Sequence, residues 1–189
     1  MEIVNFFPTQ IFKDIVNENM KNDLLKLCND YTSKTQTNLL HIDNFPSTLA
    51  NTELSYPVNT DPTVKMVFEY LYEIANNFAS QRQQFVDKDS FRPYGFFSNM
   101  KKGAHLRKHT HKDCRFSGII YLEVGDDVPQ LLFHDPRPHV QFEPSDYGGK
   151  YIESIKPENG MILMWDSWLT HELMYKENDQ PRKVFSFNL

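Results

Sequence analysis

The chain has 189 residues, 40% hydrophobic and 24% charged, a length and balance that suit one folded domain and argue against disorder. Its net charge of −5 excludes bulk electrostatic attraction to nucleic acid or anionic lipid, and no apolar run approaches the roughly 20 residues of a membrane span. The start, Met1-Glu2-Ile3, lacks the basic region of a signal peptide, and the widely separated Cys28 and Cys114 then read as reduced thiols, so the expected location is the cytoplasm.

Met20, Leu24, Leu27, Cys28 and Tyr31 recur at spacings of three and four and predict an amphipathic helix from about Asn17 to Tyr31. Thr32 to Asp61 is polar and aperiodic and reads as a long loop or partly extended segment, either a lid or a wrapping segment. Asp61-Pro62 offers an N-cap followed by proline at the first helical position. Behind it Val64, Val67, Phe68, Leu71, Ile74, Ala75 and Phe78 carry one apolar face to about Gln83.

From Phe91 the pattern changes to short apolar runs bounded by Gly, Pro and Asp: Tyr94 to Met100, His105 to Thr110, Phe116 to Val124, Gln130 to His134, Val140 to Phe142, Tyr151 to Ile155, Met161 to Trp165 and Val184 to Leu189. Fifteen Phe and nine Tyr add to the β character. Helices followed by about eight strands predict an α+β fold, in which a helical flank (1–90) covers one face of a double-sheet core (91–189) within a single domain, 1–189.

Five of the seven histidines lie between His105 and His139. On a strand, His109 and His111 would point to one face about 6.6 Å apart and could share a metal ion at about 2.1 Å each. His171, just beyond an interior strand, is the best third ligand. The bland alternative makes His105, His109 and His111 surface residues among Lys101, Lys102, Arg107, Lys108 and Lys112, a stretch that would also suit an anion.

The ordered context narrows the choice. Gly103, His109-x-His111, Phe116-Ser117-Gly118-Ile119-Ile120-Tyr121-Leu122, Phe133-His134-Asp135-Pro136-Arg137-Pro138, Pro157-x-x-Gly160-Met161-Ile162-Leu163, Ser167-x-Leu169-x-His171, Arg182 and Ser186-Phe187-Asn188 follow one another. This succession resembles the 2-oxoglutarate/Fe(II)-dependent oxygenases. More narrowly, it is similar to an oxygenase family common in bacteriophages and marine bacteria, marked by H-x-H-P, S-G-x-Y-Y-L and a C-terminal S-F-N; Phe6-Phe7-Pro8-Thr9 also looks like its N-terminal phrase.

The resemblance implies a double-stranded β-helix (jelly-roll) core with N-terminal helices packed on one sheet, and a dioxygenase using Fe(II), 2-oxoglutarate and O2, with ascorbate as a stimulant. It would hydroxylate a substrate C–H and release succinate and CO2. The metal ligands would fall on His109, His111 and His171. Arg182 would form a salt bridge with the far carboxylate of 2-oxoglutarate, Tyr121 would hydrogen-bond the same group, and Asn99 would either face the pocket or make a sheet-edge hydrogen bond. Fe(II) needs three protein ligands on one face, leaving the others for co-substrate and O2, and a guanidinium matches a carboxylate as a fork.

One departure stands out. The usual triad is two His and one carboxylate, whereas three imidazoles carry one negative charge less and should hold Fe(II) less tightly. Asp113 offers a second register, His111, Asp113 and His171. The interval from Gly103 and the H-x-H phrase favour His109 with His111.

His134 and His139 read as solvated loop residues, Trp165 and Trp168 as core or pocket wall, His41 as surface, and Asp166 has no assigned role. The competing reading is a non-catalytic jelly-roll module that binds a metal or another ligand. The expected partner is a small-molecule or peptidyl substrate, with no nucleic acid and no membrane; a phage-encoded protein would work in the host cytoplasm.

Overall fold

The computed structural model describes residues 8–32, 52–55, 61–137 and 151–189. Its elements run β1 (Ile11–Ile15), α1 (Glu18–Thr32), β2 (Thr52–Ser55), α2 (Pro62–Ser80), β3 (Tyr94–Met100), β4 (Leu106–His109), β5 (Phe116–Val124), β6 (Leu131–His134), β7 (Ile152–Ile155), β8 (Met161–Asp166), β9 (His171–Leu173) and β10 (Arg182–Asn188).

Both helices start as the sequence predicts. Asn17 Oδ1 accepts the Met20 N–H at 2.8 Å, and Asp61 Oδ1 accepts from Thr63 and Val64 at 2.8 and 3.3 Å, ahead of Pro62. Helix α2 ends at Ser80, slightly short of the expected limit, and Gln83 turns the chain away at a φ of 57°.

The strands form two sheets with antiparallel pairing throughout. The larger has the order β1-β8-β5-β10-β3-β2 and the smaller β4-β9-β6-β7. Side-chain alternation divides the core in two. Phe116, Ile120, Leu122, Ile162, Met164, Phe185 and Phe187 face the helices, where they meet Leu24, Cys28, Val64, Leu71 and Phe78. Ile119, Tyr121, Met161, Leu163, Trp165 and Val184 face the smaller sheet and pack with Leu131, Phe133 and Leu169. This is the α+β double-stranded β-helix, with the helices on one sheet, that the resemblance implies.

Two short strands have no sequence expectation behind them: β1, which adds an edge to the large sheet, and β9, which begins at His171 itself. β2, the opposite edge, lies within the stretch expected to be loop or partly extended. The expected strand at Val140 to Phe142, the lid role of the Thr32–Asp61 stretch, His41, His139 and the Phe6-Phe7 phrase fall wholly or largely outside the described residues. Neither Cys28 nor Cys114 is in a disulfide among the described residues.

Two motif fragments turn out to be partners in one ladder. Ser117 pairs with Asn188 and Gly118 with Phe187 across β5 and β10. The Ser117 hydroxyl donates to Asn188 Oδ1 at 2.7 Å, and a Cβ on Gly118 would collide with the Phe187 ring and with the Leu163 carbonyl at 2.5 Å. Ser117-Gly118 and Ser186-Phe187-Asn188 thus lock the middle of the large sheet.

Candidate metal centre

His109, His111 and His171 are brought together, each offering a ligand nitrogen, with these atoms all within 4.8 Å of one another. His109 and His171 are direct partners across β4 and β9, with ring centroids 4.2 Å apart. The expectation that His109 and His111 share a strand needs correction. β4 ends at His109, and His111 is placed by its backbone N–H, which donates to the Ser167 carbonyl at 2.9 Å.

Ser167 fixes this corner. Its N–H donates to the Arg115 carbonyl at 2.9 Å and its hydroxyl to the Cys114 carbonyl, so the connection after β8 is zipped onto residues 111–115. The preceding Asp166, which lacked a role in the sequence, takes Arg82 Nη1 at 2.6 Å. The Arg82 guanidinium also lies 4.2 Å from the Phe78 ring centroid, so the end of α2 braces the β8–β9 connection that leads to His171.

Ring orientation is set by backbone carbonyls. His109 Nδ1 donates to the Arg107 carbonyl at 2.7 Å and His171 Nδ1 to the Leu169 carbonyl at 2.9 Å, which leaves each Nε2 as a lone pair. His111 Nε2 lies 3.2 Å from His171 Nε2. Two nitrogens bound to one ion at right angles and ~2.1 Å would be about 3.0 Å apart, so the spacing suits adjacent ligands. Burial, reinforced by the neighbouring imidazoles, lowers His171 to about 3 and His111 to about 4, and burial lowers His109 too. All three rings are therefore neutral at pH 7, the form that binds metal.

Asp113 does not join the cluster. It is exposed, in a turn at a φ of 60°, so the register through His109 is the one whose side chains converge. His134 is no solvated loop residue: it ends β6, and its Nε2 lies 2.8 Å from Glu172 Oε1.

Arg182 opens β10 on the inward face and is 2% exposed. Its guanidinium carbon lies 5.4 Å from the Tyr121 ring centroid, and Nη1 lies 3.1 Å from Met100 Sδ. Tyr121 is also buried. Burial raises its phenol, against the pull of the Arg182 charge, and lowers the guanidinium. Although the two groups are close, Tyr121 Oη and Arg182 Nε lack a well-formed hydrogen bond among the described residues, and no described carboxylate pairs with Arg182. A buried cation beside a buried hydroxyl, both short of acceptors, fits a carboxylate ligand.

Asn99 does not share that face. Alternation along β3 sets it with Phe97, toward the helices, while Met100 turns inward to Arg182. It lines a shallow cleft with Lys101, Glu123 and Lys183, away from the imidazoles, which corrects the expectation that it faces the pocket.

Comparison with known proteins agrees with this geometry. Residues 96–188 match the family described as "Putative 2OG-Fe(II) oxygenase". No curated protein matches the chain. Among solved structures, a Pseudomonas putida prolyl-4-hydroxylase is similar with a TM-score of 0.69 at 15% identity, over 96% of this chain and 92% of that one. HygX from Streptomyces hygroscopicus, with nickel, 2-oxoglutarate and hygromycin B bound, gives 0.57 at 13% identity, over 95% and 83%. The non-heme alpha ketoglutarate dependent epimerase SnoN from nogalamycin biosynthesis gives 0.61 at 9%, over 96% and 78%. At such identities the likeness establishes the shared fold.

Proposed function

On the match of residues 96–188 to the family described as "Putative 2OG-Fe(II) oxygenase", we propose that the protein is an Fe(II)- and 2-oxoglutarate-dependent dioxygenase that hydroxylates a C–H bond of a small-molecule or peptidyl substrate. The observation that carries the proposal is the convergence of His109, His111 and His171, with Nε2 of His111 and His171 3.2 Å apart. With its co-substrate bound, Fe(II) supplies oxidative decarboxylation of 2-oxoglutarate, releasing succinate and CO2 and placing one oxygen atom of O2 on the substrate.

The chain's own residues do the rest. Three neutral imidazoles hold the ion from one side, and backbone carbonyls fix two of the rings. Arg182 and Tyr121 take the far carboxylate of 2-oxoglutarate and set its orientation. Ile119, Leu131, Phe133, Leu163 and Val184 form the buried apolar layer between the sheets and keep water from it.

The test is succinate release from 2-oxoglutarate under air with Fe(II), with and without ascorbate. Metal-dependent binding of 2-oxoglutarate and succinate formation are expected; protein that neither binds the acid nor responds to iron overturns the proposal. One observation favours a second reading. Three imidazoles without a carboxylate also suit Zn(II), and a site that keeps zinc and rejects 2-oxoglutarate would mark a metal-binding module without this turnover.

A further inference from the structure

Trp165 has no part in the proposed machinery, yet its indole N–H is an anomaly. The residue is 3% exposed, and Nε1 is buried without a hydrogen-bond partner among the described residues. A buried N–H left unpaired is destabilising, and apolar side chains fill such positions without that penalty. The indole lies on the inward face of β8, with its ring centroid 4.9 Å from that of His171 and 5.1 Å from that of Phe133, both in edge-on geometry. The unpaired donor therefore belongs to a ring packed edge-on against one of the metal-binding imidazoles.

Tyr121 Oη and Arg182 Nε are unpaired in the same inter-sheet layer. The register of β5 on β8 sets Trp165 opposite Ser117, four residues before Tyr121, or about 13 Å along the strand. Between the two groups of donors the inward side chains are apolar: Ile119, Leu163, Phe133 and Val184. Donors at both ends of an apolar layer suit a molecule with acceptor oxygens at both ends and a hydrocarbon middle, the chemistry of a dicarboxylic acid.

We propose that Trp165 is a binding residue for the co-substrate, its indole N–H donating to an oxygen at the metal-side end of the dicarboxylic acid whose far end Arg182 and Tyr121 hold. The inference rests on the proposed use of 2-oxoglutarate and adds a donor at the opposite end of that molecule. The ring keeps the wall closed, while the N–H fixes the roll of the acid about its long axis.

Trp165→Phe keeps an aromatic ring against His171 and Phe133 and deletes only the donor. Equilibrium dialysis on anaerobic, Mn(II)-loaded protein should show 2-oxoglutarate affinity about tenfold weaker than in the wild type, as expected for losing one hydrogen bond to a charged oxygen, with Mn(II) affinity unchanged. A second measurement uses the native chain. Trp165 and Trp168 are its only indoles. In the Zn(II)-loaded protein the Trp165 N–H proton resonance, assigned as the one that persists in Trp168→Phe, should move downfield when 2-oxoglutarate is added. Wild-type protein that binds the acid with no change at that resonance, or Trp165→Phe that binds it within twofold of wild type, overturns the inference alone. Wild-type protein that takes up metal but no 2-oxoglutarate overturns the proposed function as well, and the two failures are thereby told apart.

Discussion

His109 and His171 face each other across the β4–β9 ladder, paired Cα to Cα with their rings 4.2 Å apart. A cross-strand pair of this kind holds two ligands in register without help from a loop. It also decides which neighbour completes the site. Loss of the His109 imidazole should weaken Co(II) or Fe(II) affinity at least about tenfold, since one of three ligands goes. Asp113 is outside the cluster, so Asp113→Asn should bind metal within about twofold of wild type; asparagine is chosen because it tolerates the positive φ of this turn. Isothermal titration of both variants is the check. The reverse outcome, with His109→Ala tolerated and Asp113→Asn deficient, would restore the register through Asp113.

Tyr121 and Arg182 should show stability and binding moving in opposite directions. The Tyr121 hydroxyl is buried beside Arg182 without a well-formed hydrogen bond, so Tyr121→Phe removes a poorly paired polar group from the ligand-free protein. Its unfolding free energy should rise by about 1 kcal/mol, while 2-oxoglutarate affinity falls about tenfold. Arg182→Lys keeps the charge and loses the fork, and should weaken the acid while leaving metal content equal to wild type. Denaturant melts, dialysis and metal analysis read the three quantities separately. Parallel loss of iron in Arg182→Lys would mean that the arginine supports the imidazoles instead.

Most of the fold is legible in the sequence because local rules and burial agree. Asp61-Pro62 fixes the start of α2, and strict alternation along β5, β8 and β10 reports two different covered faces. β1, β2 and β9 are short strands of three to five residues whose identity depends on their ladder partners, so no local pattern marks them. The convergence of His171 with His109 and His111 could be anticipated from the ordered motifs. The brace from Arg82 to Asp166 could not, because it joins residues far apart in sequence through a contact that only the docked helix creates. The two alternatives for Asn99 could not be separated in the sequence for a simpler reason: a one-residue change of parity exchanges the pocket face for the helix face, and Met100 holds the inward position.

Gly118 tests the claim that Ser117-Gly118 and Ser186-Phe187-Asn188 are a structural lock. A methyl group there meets the Phe187 ring and the Leu163 carbonyl, and both are held by the middle of the sheet. Gly118→Ala should therefore cost about 3 kcal/mol of stability, read from urea unfolding. The fraction that remains folded should bind metal as wild type does, because the imidazoles hang on β4, β9 and the Ser167 corner. Stability unchanged within 0.5 kcal/mol or so would show that the sheet relaxes around the methyl and that the motif does not act as a lock.

The histidine environment sets a pH dependence whose sign follows from burial. His111 and His171 stand at about 4 and about 3 in the folded, metal-free protein, below the ordinary value of about 6.5 that they regain on unfolding. Between those limits the unfolded chain binds more protons than the folded one, so stability is fully present above pH 6.5 and is lost as pH falls toward 4. With two such groups the slope contributed near pH 5 approaches about 2.7 kcal/mol per pH unit. Metal binding obeys the same logic. His111 and His171, already neutral, release no proton on taking up an ion, so affinity should fall less from pH 8 to 6 than that of a triad of exposed imidazoles. Calorimetric titrations in buffers of different ionisation enthalpy count the protons directly. Fewer than one proton released from the site at pH 6 is expected, and two or more would mean that His111 or His171 is solvated and that the cluster is looser than the 3.2 Å contact between them implies.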